Sequence, residues 1–231
     1  MADTKVQDIV EVNENLRSGA GFWEKNQKAI IGVAAAIILV IGGWLLYKNL
    51  VVKPKEESAG EAMYKAEEYF RNDSLNVALN GDGQNKGFLY IIKNYGGTKA
   101  ANLSQFYAGV IYLKNHDFNN AVKYLKDFST ESKQIQMIAY GRLGDAYSEL
   151  GKKDDAVEYY KKAGKEFQED EFNASEFLFR AGYLLETMNK NSEAVEVYKE
   201  IKEKFPATEK GFSIDKYIYR LSVDKNDFSV K

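Results

Sequence analysis

Between residues 29 and 47 the interleaving of polar and apolar positions stops: nineteen consecutive residues, AIIGVAAAIILVIGGWLLY, carry no charge. As a helix this run extends roughly 28 Å, close to the roughly 30 Å hydrocarbon thickness of a bilayer. Phe22, Trp23, Lys25 and Lys28 precede it and Trp44, Tyr47 and Lys48 close it. Aromatic rings and lysines suit the headgroup zone. A core helix of a soluble protein is seldom apolar on every side. A cleavable signal peptide would have a shorter apolar region ending in a small-x-small site, where this chain has bulky Trp44 and Tyr47. The pattern therefore predicts a transmembrane anchor over 29–52, with Phe22, Trp23, Lys28, Trp44 and Tyr47 as interface residues. Residues 1–28 place Val6, Ile9, Val10 and Leu16 among acids. They are expected to form a mostly disordered tail, the alternative being one short amphipathic helix that ends at Gly19 and Gly21. Basic residues near the two ends of the run almost balance, so charge does not orient it. A short tail before a large folded region favours a cytoplasmic tail and an exported remainder.

After Lys53-Pro54 a charged linker is expected over 53–58, followed by residues 59–231 with helical periodicity throughout. The clearest unit is YGRLGDAYSELGKKDDAVEYYKKA, within 137–170. Tyr140, Leu143, Gly144, Tyr147, Ala156, Tyr160 and Ala163 fall at the spacings of a helix-turn-helix pair. Two antiparallel helices approach closely where small residues meet, here Gly144 and Ala156, and Leu150-Gly151-Lys152 supplies the turn. The frame recurs over 102–136 with Gly109, Tyr112, Ala121 and Leu125. It recurs again over 175–208 with Gly182, Leu185, Ala194, Tyr198, Ile201 and the helix-ending Pro206. In all three copies the small residues are twelve positions apart. This pattern resembles the tetratricopeptide repeat (TPR). It implies an all-α TPR solenoid preceded by a single transmembrane helix. A degenerate unit over 59–101 is expected to consist of two helices parted by a loop at 72–86. Helical spacing of Ile214, Tyr217, Ile218 and Leu221 predicts a capping helix over 211–222.

In such a stack the first helix of each repeat lines a concave groove. By register Phe106, Val110, Leu113, Ile138, Asp145, Phe179 and Tyr183 are the candidate protein-binding residues. Their mixture is apolar with little charge, suited to an extended or partly unfolded segment or to a partner helix. Aromatic residues on helices are as often core as contact. TPR domains that grip chaperone carboxy-termini use Lys and Asn at these positions. Phe106, Gly141, Phe179, Val110, Asp145 and Tyr183 stand there instead, which disfavours that role.

Composition narrows the chemistry. The chain has 231 residues, no cysteine, one histidine and a formal net charge of −2, so thiolate metal sites, disulfides and lipid attachment through cysteine are excluded. Interspersed charge leaves no basic footprint for nucleic acid. His116 lies in the turn Asn115-His116-Asp117, and the acids Asp154-Asp155 and Glu169-Asp170-Glu171 lie where helices begin and favour the helix dipole. Neither arrangement has catalytic or ligand-loop spacing. No enzyme activity, cofactor, metal or small-molecule substrate is expected.

The segment FWEKNQKAIIGVAAAIILVIGGWLLYKN resembles the anchor of the bacterial YfgM family. The matching residues are Phe22, Trp23, Asn26, Lys28, Ala29, Gly32, Gly43 and Trp44. The resemblance implies an inner-membrane protein with a cytoplasmic tail and periplasmic repeats. It also implies an ancillary subunit of the Sec translocon (SecYEG-type), acting with the PpiD-like isomerase as a chaperone-like accessory for exported polypeptides. The departures are repeats closer to the TPR pattern than that family's and a 72–86 loop with no obvious counterpart. A TPR scaffold for another cell-envelope complex is the alternative.

Overall fold

A computed structural model describes residues 2–223, with side chains described for Trp23 and for Lys25 to Ser222. Two compact units divide between Lys55 and Glu56. In the first, α1 (Ala2–Tyr47) is followed by a π-helical turn, Lys48–Val52. Trp23, Trp44, Tyr47 and most of the aliphatic residues between them are exposed, Leu39 to 75%. This helix is long and apolar enough to cross a membrane.

The second unit is helical, with a single isolated bridge, Gly81 to Lys86, among the described residues. Its elements are α2 (Lys53–Arg71), α3 (Leu75–Asn80), α4 (Phe88–Asn94), α5 (Lys99–Lys114), α6 (Phe118–Asp127), α7 (Lys133–Glu149) and α8 (Lys153–Glu166). They continue with α9 (Glu171–Thr187), α10 (Asn191–Lys204), α11 (Glu209–Ser213) and α12 (Asp215–Val223). The pairs α5/α6, α7/α8 and α9/α10 form repeats R2, R3 and R4.

One turn geometry recurs. His116, Gly151 and Asn189, each seven residues beyond the repeat's glycine, adopt left-handed φ of 59°, 71° and 59°. The next amide reaches back to the carbonyl of Tyr112, Tyr147 or Leu185 respectively, at 2.9, 2.9 and 3.0 Å. This satisfies carbonyls that the first helix would leave orphaned. Caps start several helices: Thr98, Asp117 and Asp170 side chains accept from the amides of Ala101, Asn120 and Asn173.

The same turn occurs at Asp73 (φ 54°), with Ser74 N–H donating to Tyr69 O at 2.9 Å. Counting back seven residues gives Ala66, and twelve beyond it lies Ala78; both are fully buried. R1 is therefore α2 paired with a second helix that begins as α3 and resumes as α4. The expected 72–86 loop between the helices is instead an insertion of residues 81–87 inside the second helix. Leu75, Ala78 and Leu79, at helical spacing, were the signal. Asp82 fixes the insertion, accepting from the amides of Gln84 and Asn85 and from the Tyr69 hydroxyl at 2.7 Å. These donors hold its carboxyl well below the usual carboxylate range.

Other expectations differ in detail. Residues 53–58 are not a loop but the start of α2, in which Pro54 is the second residue. The 1–28 segment is helical from Ala2 and passes through Gly19 and Gly21, each costing a helix only about 1 kcal/mol. Val6, Ile9, Val10, Leu16 and Phe22 lie outside the described side chains. The cap is two pieces broken at Ile214.

The repeat glycines do not face the alanines. A Cβ on Gly109, Gly144 or Gly182 would lie 2.5, 2.6 or 2.4 Å from Leu125, Tyr160 or Tyr198. Those residues are one helical turn beyond Ala121, Ala156 and Ala194, which are themselves fully buried. Two apolar clusters result, one built from residues 59–111 and one from 125–221.

Candidate protein-binding groove

The first helices α5, α7 and α9 carry the seven candidate residues, and they do not share one environment. On α5, Val110 and Leu113 are half-buried. Phe106 leans into the C-terminal cluster, its ring centroid 5.3 Å from that of Phe128, and Ile138 packs on the same cluster. Phe179 is enclosed by aromatic neighbours, 5.0 Å from Tyr217 and 5.9 Å from Tyr198, with Lys210 Nζ 4.4 Å above its ring. Tyr183, stacked on Phe179 at 6.4 Å, is 55% exposed and is the open member of the set.

Asp145 is the hub of an ion network. It accepts from Tyr160 Oη at 2.9 Å, Arg180 at 2.8 Å and Arg142 at 3.2 Å. Arg180 also donates to Glu176 at 2.9 Å, and Glu176 pairs with Lys210 at 3.2 Å. One repeat further, Glu186 accepts from Tyr198 and from Arg220. Burial first, and then Asp145 or Glu186, push the hydroxyls of Tyr160 and Tyr198 well above the ordinary tyrosine range.

The α5 candidates are apolar, whereas Asp145 lies among charged side chains: Arg142 on α7, Glu176, Arg180 and Glu186 on α9, Lys210 on α11 and Arg220 on α12. Their signals were Arg142-Asp145 and Glu176-Arg180 at intrahelical pairing distance, and Asp145-Arg180 one repeat apart.

On α1, Trp23, Lys28, Trp44 and Tyr47 are exposed, and Lys48 Nζ sits 5.1 Å above the Trp44 ring.

Helix pairs closed by a left-handed turn, stacked through small residues, define a TPR-like solenoid, a fold that typically serves as a non-enzymatic protein-interaction scaffold. The chain belongs to the tetratricopeptide repeat-like domain family, whose model matches residues 21–219. Among curated proteins none matches the sequence. Solved structures with the same fold include nearly identical TPR-like repeats of a kinesin light chain from Podosopora anserina, 14% identical with a TM-score of 0.52. That match covers 75% of this chain and 89% of the other. MamA is 14% identical with a TM-score of 0.51, covering 76% of this chain and 97% of its own. At such identity the likeness concerns the fold.

Proposed function

We propose that this chain is a membrane-anchored TPR module that binds protein segments, serving as an ancillary subunit of a SecYEG-type translocon with a chaperone-like role for exported polypeptides. The observation that carries the anchored part of this reading is the helix of residues 29–47, apolar on all sides and exposed along its length. Charge in that run is absent, and a helix of this kind is at its lowest free energy in lipid. The resemblance of its flanks to the YfgM family supports an inner-membrane setting, a cytoplasmic amino terminus, periplasmic repeats and a PpiD-like isomerase as neighbour. The apolar α5 strip with exposed Tyr183 supports capture of partly unfolded segments.

The ion network on α7 and α9 favours a second reading, a scaffold for one defined partner in another cell-envelope complex, because fixed charges select a partner of matching pattern. A photoreactive residue at Val110 or Tyr183, activated in native membranes, separates them. Crosslinks to translocon subunits and to exported chains are expected. A single non-translocon envelope protein would support the second reading, and no crosslinked protein at either position would remove both.

A further inference from the structure

The three first-helix positions adjoining each repeat's small residue show how successive repeats are tied. One residue beyond that small residue stand Glu67, Val110, Asp145 and Tyr183 in R1 to R4. Two residues before it, in the next repeat, stand Tyr107, Arg142 and Arg180. Glu67 lies near enough to Tyr107 in the next repeat that, after burial, its charge raises that hydroxyl above the ordinary tyrosine range. Asp145 bonds to Arg180, linking R3 to R4. At the R2–R3 joint the acceptor position is Val110, and Arg142 turns instead to Asp145 on its own helix.

Ion pairs follow the same division. Lys114–Asp73 crosses from R2 to R1 at 3.3 Å. Arg180–Asp145 and Lys190–Asp154 cross R3–R4 at 2.8 and 2.6 Å. Lys202–Asp215 and Lys210–Glu176 tie R4 to the cap at 2.7 and 3.2 Å. Among the described residues no ion pair joins 99–127 to 133–166. Helix α6 is also the slightest second helix, ten residues with Ala121 and Leu125 buried. Helix α8 buries Ala156, Val157, Tyr160, Ala163 and Gly164. The tyrosine hydroxyl that Tyr160 and Tyr198 aim at a carboxylate is missing from Leu125.

From these features we infer that the solenoid has one compliant joint, between R2 and R3, and that R3, R4 and the cap move together as a stiff arm. Helix-to-helix contacts across the joint, through Phe106, Val122 and Leu125, are apolar and non-directional, and the hydrogen bonds there are neutral ones that hold the connecting residues, Asn102 with Ser129 and Gln136 with Thr130. The apolar contacts resist separation but not sliding, whereas charge-assisted hydrogen bonds fix both distance and angle. Few buried apolar contacts are the physical signature of a segment that opens at low free energy.

Amide hydrogen exchange on the full chain in detergent micelles tests this. Residues 118–132 should exchange at least about ten-fold faster than α8 and α10, the equivalent of one charge-assisted hydrogen bond. Because Arg142 already occupies the place of Arg180, the double variant V110D/L125Y would install the missing tie and should slow exchange in α6 to the level of α8. Conversely, Asp145→Val copies the R2 arrangement into R3 and should raise exchange in α8 about ten-fold. Exchange in α6 no faster than in α8 would overturn the inference. So would a folded V110D/L125Y with α6 unchanged, or Asp145→Val with α8 unchanged, the latter standing even where the double variant does not fold.

Discussion

Glycine plays opposite parts in the two units of this chain. In the apolar run of α1, nothing lies within 4 Å of a Cβ built on Gly32, Gly42 or Gly43. In the repeats, a Cβ on Gly109, Gly141, Gly144, Gly164 or Gly182 would fall 2.2 to 2.6 Å from a side chain on a neighbouring helix. The residue and the secondary structure are the same; the surroundings differ. The repeats conceal apolar surface inside the chain's own helix pairs, so each glycine is a fitted gap. The residues of the run over 29–47 are largely exposed, and its helix is long and apolar enough to cross a membrane.

The largest effect that distinguishes the two should come from charge in the run. Ile38→Arg together with Leu39→Arg places two guanidinium groups near its middle, at about 2.5 to 3.5 kcal/mol each on insertion scales. The protein should move from the alkaline-carbonate-resistant membrane fraction to the extract, with the repeat helices retained by circular dichroism. Persistence of the double variant in that fraction would mean that the run is not what holds the chain to membranes.

Next in size is the glycine contrast itself. Gly182→Ala gains about 1 kcal/mol of helix propensity, but its methyl would meet the Tyr198 ring at 2.4 Å. Tyr198 is fully buried and has no free direction in which to retreat, so overpacking of about 1 to 3 kcal/mol should prevail. Denaturant unfolding should show a net loss for Gly182→Ala and for Gly144→Ala, and no loss for Gly42→Ala. Equal effects at all three would erase the distinction drawn between the units.

Much of this contrast was legible in the sequence, because both signals are periodic. Nineteen uncharged residues and three glycines each twelve positions from an alanine need no tertiary information. The partner of each glycine was not legible. Contact falls one turn past the alanine, a consequence of how the two helices slide along each other, and Leu125, Tyr160 and Tyr198 looked like ordinary core residues. The insertion at 81–87 was misplaced because its glycines and asparagines mark a loop without saying that the helix before it is the first half of the helix after it. The charged neighbourhood of Asp145 is hidden for a different reason: its character comes from Arg180, 35 residues away and one repeat further on.

The smallest effect tests the hydroxyls that set R3 and R4 apart from R2. Tyr160→Phe and Tyr198→Phe keep the ring against the glycine and remove one hydrogen bond to Asp145 or Glu186, each of which retains an arginine. Each should cost about 1 kcal/mol near neutral pH. Burial and the adjacent carboxylate raise both tyrosines above their unfolded value of about 10. Their contribution is therefore fully present below that pH. It is lost as pH climbs through and beyond it, since the unfolded chain then releases protons that the folded chain retains. Urea unfolding of wild type and the double Phe variant should consequently differ most at about pH 7 and converge by about pH 11. Other raised tyrosines, such as Tyr107 and Tyr147, are common to both proteins and cancel in the difference. A gap that stays constant across this range would mean that neither burial nor the carboxylate holds the proton on these two hydroxyls in the folded chain, and the ties of R3 and R4 would then rest on Arg180 and Arg220 alone.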